Sequence, residues 1–217
     1  YWPNFLESFR SGFIARDSAM GQLVVLGSDC ADEPAFAKKS AIAVAVDQND
    51  RVYYTYGFEV GRILSNGVPD TSFGTAGITS IPEARVCSAG YKADFIQRLL
   101  PSPNGLTLVL AKCYASGATP PDEYFIVALS PSGQLSSTYG SNGRAKIPSV
   151  PVYGASAVVQ TDGKCVVLVG NTNGSNTETT FSLVRFTEAG TLDAGFGVNG
   201  TLALGTGLVS PDPFALP

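Results

Sequence analysis

The sequence contains no histidine. A Ser-His-Asp or Cys-His catalytic site therefore cannot be assembled within the chain, and zinc ligand sets built on imidazole are closed to it. No CxxC pair occurs among the four cysteines, Cys30, Cys87, Cys113 and Cys165. Charge is also scarce: Asp, Glu, Lys and Arg make up 15% of the residues and the net charge is −4. The Lys and Arg are scattered, so the basic face that replaces counterions at phosphates is missing and nucleic acid is excluded as a partner. No apolar run approaches the roughly eighteen residues that a membrane-spanning helix requires. Apolar periodicity of 3.6 is missing as well, except near the N-terminus. There Phe5, Phe9 and Phe13 recur at four-residue spacing, with Trp2 and Leu6 beside them and Gly12 as a stop, and this spacing predicts a short docking helix.

Hydrophobic residues supply 44% of the chain, a folded composition, and Gly (24) and Pro (14) are plentiful enough to predict frequent turns. One pattern recurs three times. Gly67, Gly133 and Gly190 each precede an aromatic residue, Phe73, Tyr139 or Phe196, by six positions. Gly74, Gly140 and Gly197 follow the aromatics directly, and Gly77, Gly143 and Gly200 come three residues later. Ahead of each copy lie two apolar segments separated by a polar turn: 41–46 and 52–56, 95–100 and 106–111, 155–160 and 165–169. The intervening Asn104-Gly105 and Asp162-Gly163 predict two-residue hairpins with both turn positions at positive φ, and Asn49-Asp50 is a weaker form. Each repeat thus reads as four short strands. The continuous run 165–169 predicts a strand buried on both faces. The three aromatics read as core plugs that fix one repeat against the next, since repeat units cannot cover their apolar face alone.

The unit resembles the delta-60 repeat family, a bacterial β-repeat. The third copy carries the motifs most fully, in Val159, Asp162, Gly163 and Lys164 and again in Leu192, Asp193, Phe196 and Gly197. Val68, Asp70, Phe73 and Gly74 carry the first, and the second is degraded, with Leu129 in the place of the Arg, Ser136 of the Asp and Tyr139 of the Phe. The resemblance covers about residues 41–205. It implies a β-propeller-like fold in an extracytoplasmic bacterial setting, and it implies no reaction.

The fold class expected is all-β: a β-propeller-like repeat array, read as four small blades with the first incomplete, with an open array or closure by another chain as the competing geometry. Residues 1–217 form one domain, divided into an N-terminal segment and partial blade (1–40), repeats at 41–81, 93–148 and 155–205, and a tail (206–217). The chain begins with Tyr1 and reads as a mature or excised piece. The four cysteines suggest at least one disulfide and an oxidising compartment, with pairing left open.

Candidate chemistry is thin. Gly195, Gly197 and Gly200 match GxGxxG but lead into a strand-like segment, so dinucleotide binding is set aside. The adjacent acids Asp32-Glu33 and Asp122-Glu123 read as solvated loop residues, yet paired carboxylates are the one catalytic class the inventory permits. The oxygen-rich stretch 171–178 reads as a polar loop matching no known calcium loop. Asp70 and Asp193 read as turn residues. Tyr53, Tyr54 and Tyr56 are the candidate ligand-binding residues, with Tyr54 and Tyr56 on one strand face and Tyr53 on the other; burial between blades competes with stacking on a sugar. No cofactor and no metal are expected.

The function expected is that of a non-catalytic binding or adhesion module, secreted, periplasmic or on the cell surface of a bacterium. It would meet a protein or glycan through loops at one face. A carboxylate-dependent polysaccharide hydrolase is the alternative, as is a structural subunit that self-assembles through residues 1–12.

Overall fold

The computed structural model describes residues 13–16, 23–26, 43–115, 122–148, 152–172 and 178–208. Their strands form three four-stranded antiparallel sheets and one two-stranded pair. The first sheet is β3 (Val44–Val46), β4 (Val52–Tyr56), β5 (Glu59–Ile63) and β6 (Ile78–Ser80), in chain order. The second is β7 (Tyr91–Pro101), β8 (Thr107–Ala115), β9 (Glu123–Leu129) and β10 (Arg144–Lys146). The third is β11 (Val152–Val159), β12 (Cys165–Thr172), β13 (Glu178–Phe186) and β14 (Thr201–Leu208). The chain is thus all-β and propeller-like, each sheet serving as one blade. Before them, β1 (Phe13–Arg16) and β2 (Leu23–Leu26) pair antiparallel, and β1 lies beside β3. Phe13 begins a strand, so the N-terminal helical spacing does not extend to it; Trp2, Phe5, Leu6 and Phe9 lie outside the described residues, as do Cys30 and the acids Asp32-Glu33. The one described helix is the single turn α1 (Glu83–Val86) between blades 1 and 2, which the sequence did not signal.

The turns share one design, and it differs from the expected two-residue form. Gly105 donates its N–H to the Ser102 carbonyl at 2.9 Å, and Ser102 donates to the Leu106 carbonyl at 2.8 Å. Of the loop residues only Gly105 has positive φ (86°). This is a three-residue loop, a type I turn followed by one left-handed residue, and Gly is favoured only at its last position. Asn104 contributes differently, accepting the Leu106 N–H on Oδ1 at 3.1 Å. The turns at 160–164, 64–68, 130–134 and 187–191 close with the same pair of bonds. So does 47–51, where Asp50 takes the left-handed place at φ 55°.

Packing follows from strand alternation. On β8, Val109, Ala111 and Cys113 turn to blade 1 while Leu108 and Leu110 turn to blade 3. On β9, Phe125, Val127 and Leu129 turn to blade 1, and Tyr124, Ile126 and Ala128 to blade 3. Blade 2 is therefore buried on both faces, which is why both strands read as unbroken apolar runs. Strand β12 is not. Cys165, Val167 and Val169 are buried against blade 2, but Leu168 on the opposite face is 39% exposed, because no described blade covers that side.

Cys87 and Cys113 form a disulfide, tying the segment after α1 to β8 across a sequence separation of 26. Closing a loop of that length stabilises the fold by roughly 3–4 kcal/mol. Arg144 fixes the same segment, donating from Nη1 to the carbonyls of Val86 and Cys87 at 2.6 and 2.7 Å. Cys165, included among the disulfide candidates, is instead a free thiol fully buried between blades 2 and 3, and burial pushes its pKa up to about 12. It behaves as a small hydrophobe.

Candidate binding site

The repeated arginine and aspartate are structural. Arg62 donates from Nε to Asp70 Oδ2 at 2.8 Å, with both side chains almost fully buried. Its guanidinium lies 4.5 Å from the centre of the Phe73 ring. Asp70 Oδ1 also accepts the Ser72 N–H (3.0 Å) and hydroxyl (2.6 Å). Arg185, Asp193 and Phe196 repeat the plan, with the ion pair at 2.8 Å and the ring centre at 4.4 Å. In blade 2 the equivalent of the arginine is Ala128, not Leu129. Ala128 bonds Gly143 and Ser136 through its backbone as Arg62 bonds Gly77 and Asp70. Leu129 is one residue on and bridges Leu135 as Ile63 bridges Pro69.

Phe73 and Tyr139 are fully buried between blades, whereas Phe196 is only half-buried. The turn Gly of the next blade sits on each of the first two. A Cβ on Gly133 would stand 3.3 Å from the Phe73 ring, and one on Gly190 2.7 Å from the Tyr139 ring.

The three candidate tyrosines do not share a surface. Tyr53 is buried, edge-on to Phe73 with ring centres 6.1 Å apart. Tyr54 faces the other way and lies over Gly61, its cross-strand partner, while Tyr56 at the strand end is 40% exposed. Of the three, Tyr53 lines a cleft.

That cleft, of about 170 Å³, opens between the 47–51 turn of blade 1 and residues 101–106 of blade 2. Asp47 organises the first wall. Its Oδ1 accepts the N–H groups of Asn49 (2.9 Å) and Arg51 (3.0 Å), and Oδ2 accepts Arg51 Nε (2.7 Å) and the Tyr53 hydroxyl (3.2 Å). Burial pushes the Asp47 pKa up, but the bonds from Arg51 and Asn49 outweigh it and hold the carboxyl below its usual value. Gln48 and Asn49 stand exposed at the rim. Ser102 lines the opposite wall at 9% exposure, and its hydroxyl meets no described partner. Sequence reasoning passed over Asp47 and Ser102; the Asp-x-x-x-Arg spacing across the 47–51 turn was the available signal.

The remaining candidates are engaged elsewhere. Asp122 and Asp94 both hold the Lys112 ammonium, at 2.9 and 3.3 Å, and Glu123 pairs with Lys146. Burial acts to lower the Lys112 pKa, but these bonds raise it overall. The 195–200 turn runs into β14, so it opens no helix that could hold a pyrophosphate. Most of the 171–178 stretch lies outside the described residues. No group of three or more potential metal ligands occurs among those described, and no described helix is long and apolar enough to cross a membrane.

Residues 160–196 match a family model. Its description is a domain of unknown function (DUF5122), beta-propeller. The stretch runs from the 160–164 turn of blade 3 to its aromatic Phe196, the part in which the repeat is least altered. The crystal structure of a protein of unknown function from Bacteroides caccae aligns with 82% of this chain and 69% of its own at 13% identity, with a TM-score of 0.33, a likeness too distant to carry any argument. No curated protein matches the chain.

Proposed function

We propose that the chain is an extracytoplasmic, non-catalytic binding module that takes a neutral sugar unit of a glycan in the cleft between blades 1 and 2. The observation that carries this is the polar lining of that cleft, in which Asp47, Asn49, Arg51 and Ser102 stand together. The Ser102 hydroxyl is buried without a described partner, which is costly, and a ligand hydroxyl in the cleft would satisfy it once the side chain turns toward the cleft. The rest of the lining suits the same chemistry. Amides stand at the rim, an aromatic hydroxyl lies inside, and Arg51 neutralises Asp47, so no net charge asks for a charged ligand. The disulfide fits an oxidising compartment, and the delta-60-like motifs favour a bacterial surface or secreted setting. The hydrolase reading gains nothing from the cleft, whose lining has one carboxylate, Asp47, already committed to Arg51; a glycosidase places two about a sugar. Assembly through residues 1–12 involves only residues outside those described.

The test is calorimetric titration of the chain with a panel of neutral oligosaccharides. One or more should bind, and Ser102→Ala should weaken that binding about fivefold, the loss of one neutral hydrogen bond of roughly 1 kcal/mol. Asp162→Ala, in the equivalent turn of blade 3, should leave it unchanged. Absence of binding across the panel, or equal affinity in Ser102→Ala, would overturn the proposal.

A further inference from the structure

The turn that forms one wall of the cleft joins its first and last residues through an ion pair. The turns 47–51, 102–106 and 160–164 close with the same two backbone bonds. Their first and last places hold Asp47 and Arg51 in blade 1, Ser102 and Leu106 in blade 2, and Gln160 and Lys164 in blade 3. Neither of the latter combinations can form such a pair, so the turn itself does not require one. In blades 2 and 3 the last N–H of the turn is satisfied by the middle residue instead, through Asn104 Oδ1 and Asp162 Oδ1, each at 3.1 Å. Lys164 reaches across its own blade to Asp193 at 3.1 Å. In blade 1 both members of the pair line the cleft.

Asp47 has no capacity left for a ligand. Its side chain is 8% exposed. Five donors converge on the carboxylate: the Asn49 and Arg51 N–H groups on Oδ1, and Arg51 Nε, Arg51 Nη2 and the Tyr53 hydroxyl on Oδ2. An ionised carboxyl offers about four lone-pair sites. Arg51 is the reverse case. Its Nε and Nη2 each stand 2.7 Å from Oδ2, so the planar guanidinium is held side-on and turns Nη1 away from Asp47. No described group accepts a hydrogen bond from Nη1, and 26% of the side chain is exposed. Arg62 differs in both respects. Its Nε goes to Asp70, Nη1 to the Pro131 carbonyl and Nη2 to the Ser72 hydroxyl, and it is buried. Arg62 is spent on the fold, whereas Arg51 keeps a donor in reserve.

Resting on the reading of this cleft as a sugar site, we propose that Arg51 is its ligand-contacting cation, donating from Nη1 to a sugar oxygen, and that Asp47 and Tyr53 are positioning residues that aim it. Tyr53 is the fixed end of the relay. It is 2% exposed and edge-on to Phe73, with ring centres 6.1 Å apart, and its hydroxyl donates to Asp47 Oδ2 at 3.2 Å. The relay runs from the core between blades 1 and 2, through a carboxylate, to a guanidinium in the cleft wall. A donor-only group there selects a sugar that presents a hydroxyl or ring oxygen as acceptor. A planar fork can hold a carboxylate along one edge and donate from the other; the ammonium of a lysine is a point charge that cannot keep both geometries.

Titration with neutral oligosaccharides, followed by calorimetry and by NMR of the arginine Nε–H groups, tests the proposal. In the wild type the Arg51 Nε–H signal should shift as sugar is added and saturate with the calorimetric affinity, while the Arg62 signal stays in place. Arg51→Lys should bind about tenfold or more weakly, the loss of one charge-assisted hydrogen bond. Arg51→Gln, which keeps part of the stem, serves as the second variant, and circular dichroism confirms that each variant is folded. Lys164→Gln, in the equivalent turn of blade 3, should bind as the wild type does. In the sugar-free protein, Tyr53→Phe should speed exchange of the Arg51 Nε proton with water, because Asp47 loses its tie to the core. Equal sugar affinity in the wild type and folded Arg51→Lys, or an Arg51 signal unmoved by a sugar that binds, would overturn the assignment while leaving the sugar reading in place. Unchanged Nε exchange in folded Tyr53→Phe would overturn the relay. Absence of binding across the panel would overturn both the sugar reading and the assignment.

Discussion

Tyr139 occupies the place that Phe73 and Phe196 hold in the other blades, and its extra oxygen has no described partner. The hydroxyl is buried beside Cys165, and burial drives its pKa far up. A buried hydroxyl without a hydrogen bond costs about 1–3 kcal/mol, whereas the ring itself fills the seat beneath Gly190 and repays its burial. Tyr139→Phe should therefore stabilise the protein by about 1 kcal/mol, the lower end of that range. The urea midpoint should rise with an unchanged slope. A lower midpoint would mean that the hydroxyl is satisfied. The same position shows how far sequence reaches. Gly133, Tyr139 and Gly140 kept their spacing, so the seat was legible in blade 2 even though the arginine is gone. The arginine's place was legible too: Arg62 and Arg185 stand five residues before Gly67 and Gly190, and five before Gly133 stands Ala128, not Leu129.

At the scale of strands and turns, the Arg62–Asp70 pair joins β5 to the turn that carries Phe73. Burial pushes the Asp70 carboxyl up, but the bonds from Ser72 and the Arg62 guanidinium outweigh it and hold the pKa below its usual value. A folded-state value below the unfolded one means that the pair contributes fully above about pH 4, the unfolded carboxylate value, and that this contribution disappears as pH falls through the folded value. Urea midpoints of the wild type should be nearly flat between pH 5 and 8 and drop below about pH 4. Asp70→Asn should lower the neutral-pH stability by about 3 kcal/mol, because it leaves Arg62 buried without its counter-charge. It should also shrink the acid drop without abolishing it, since Asp47 and Asp193 are lowered too. An acid profile unchanged by Asp70→Asn would show that the pair is not a source of it. Alternation and turn chemistry made the strands readable, but Asn-Gly suits two hairpin geometries, and only the register selects the one with a single left-handed residue. The cleft was less readable. Asp47 and Ser102 are distant in sequence and meet only because blade 2 packs on blade 1, and the partner of Cys87 likewise had to await the fold.

Across the whole molecule, coverage falls off toward blade 3. Blade 2 is sealed by a neighbour on each side and tied by Cys87–Cys113 and Arg144, whereas among the described residues blade 3 has a covering blade on one face. Its outer strand β14 is also an eight-residue edge, against three residues in β6 and in β10. Short outer strands blunt an edge and a long one leaves it open. In a repeat array each unit draws its stability from itself and its neighbours, so opening should begin at the least covered sheet. Native-state hydrogen exchange at about 1 μM should find β13 and β14 amides exchanging at least tenfold faster than those of β8 and β9, a difference of roughly 1.4 kcal/mol in opening free energy. Equal protection in all three sheets at low concentration would refute the link between coverage and opening, because it would require blade 3 to be as firmly held by one neighbour as blade 2 is by two.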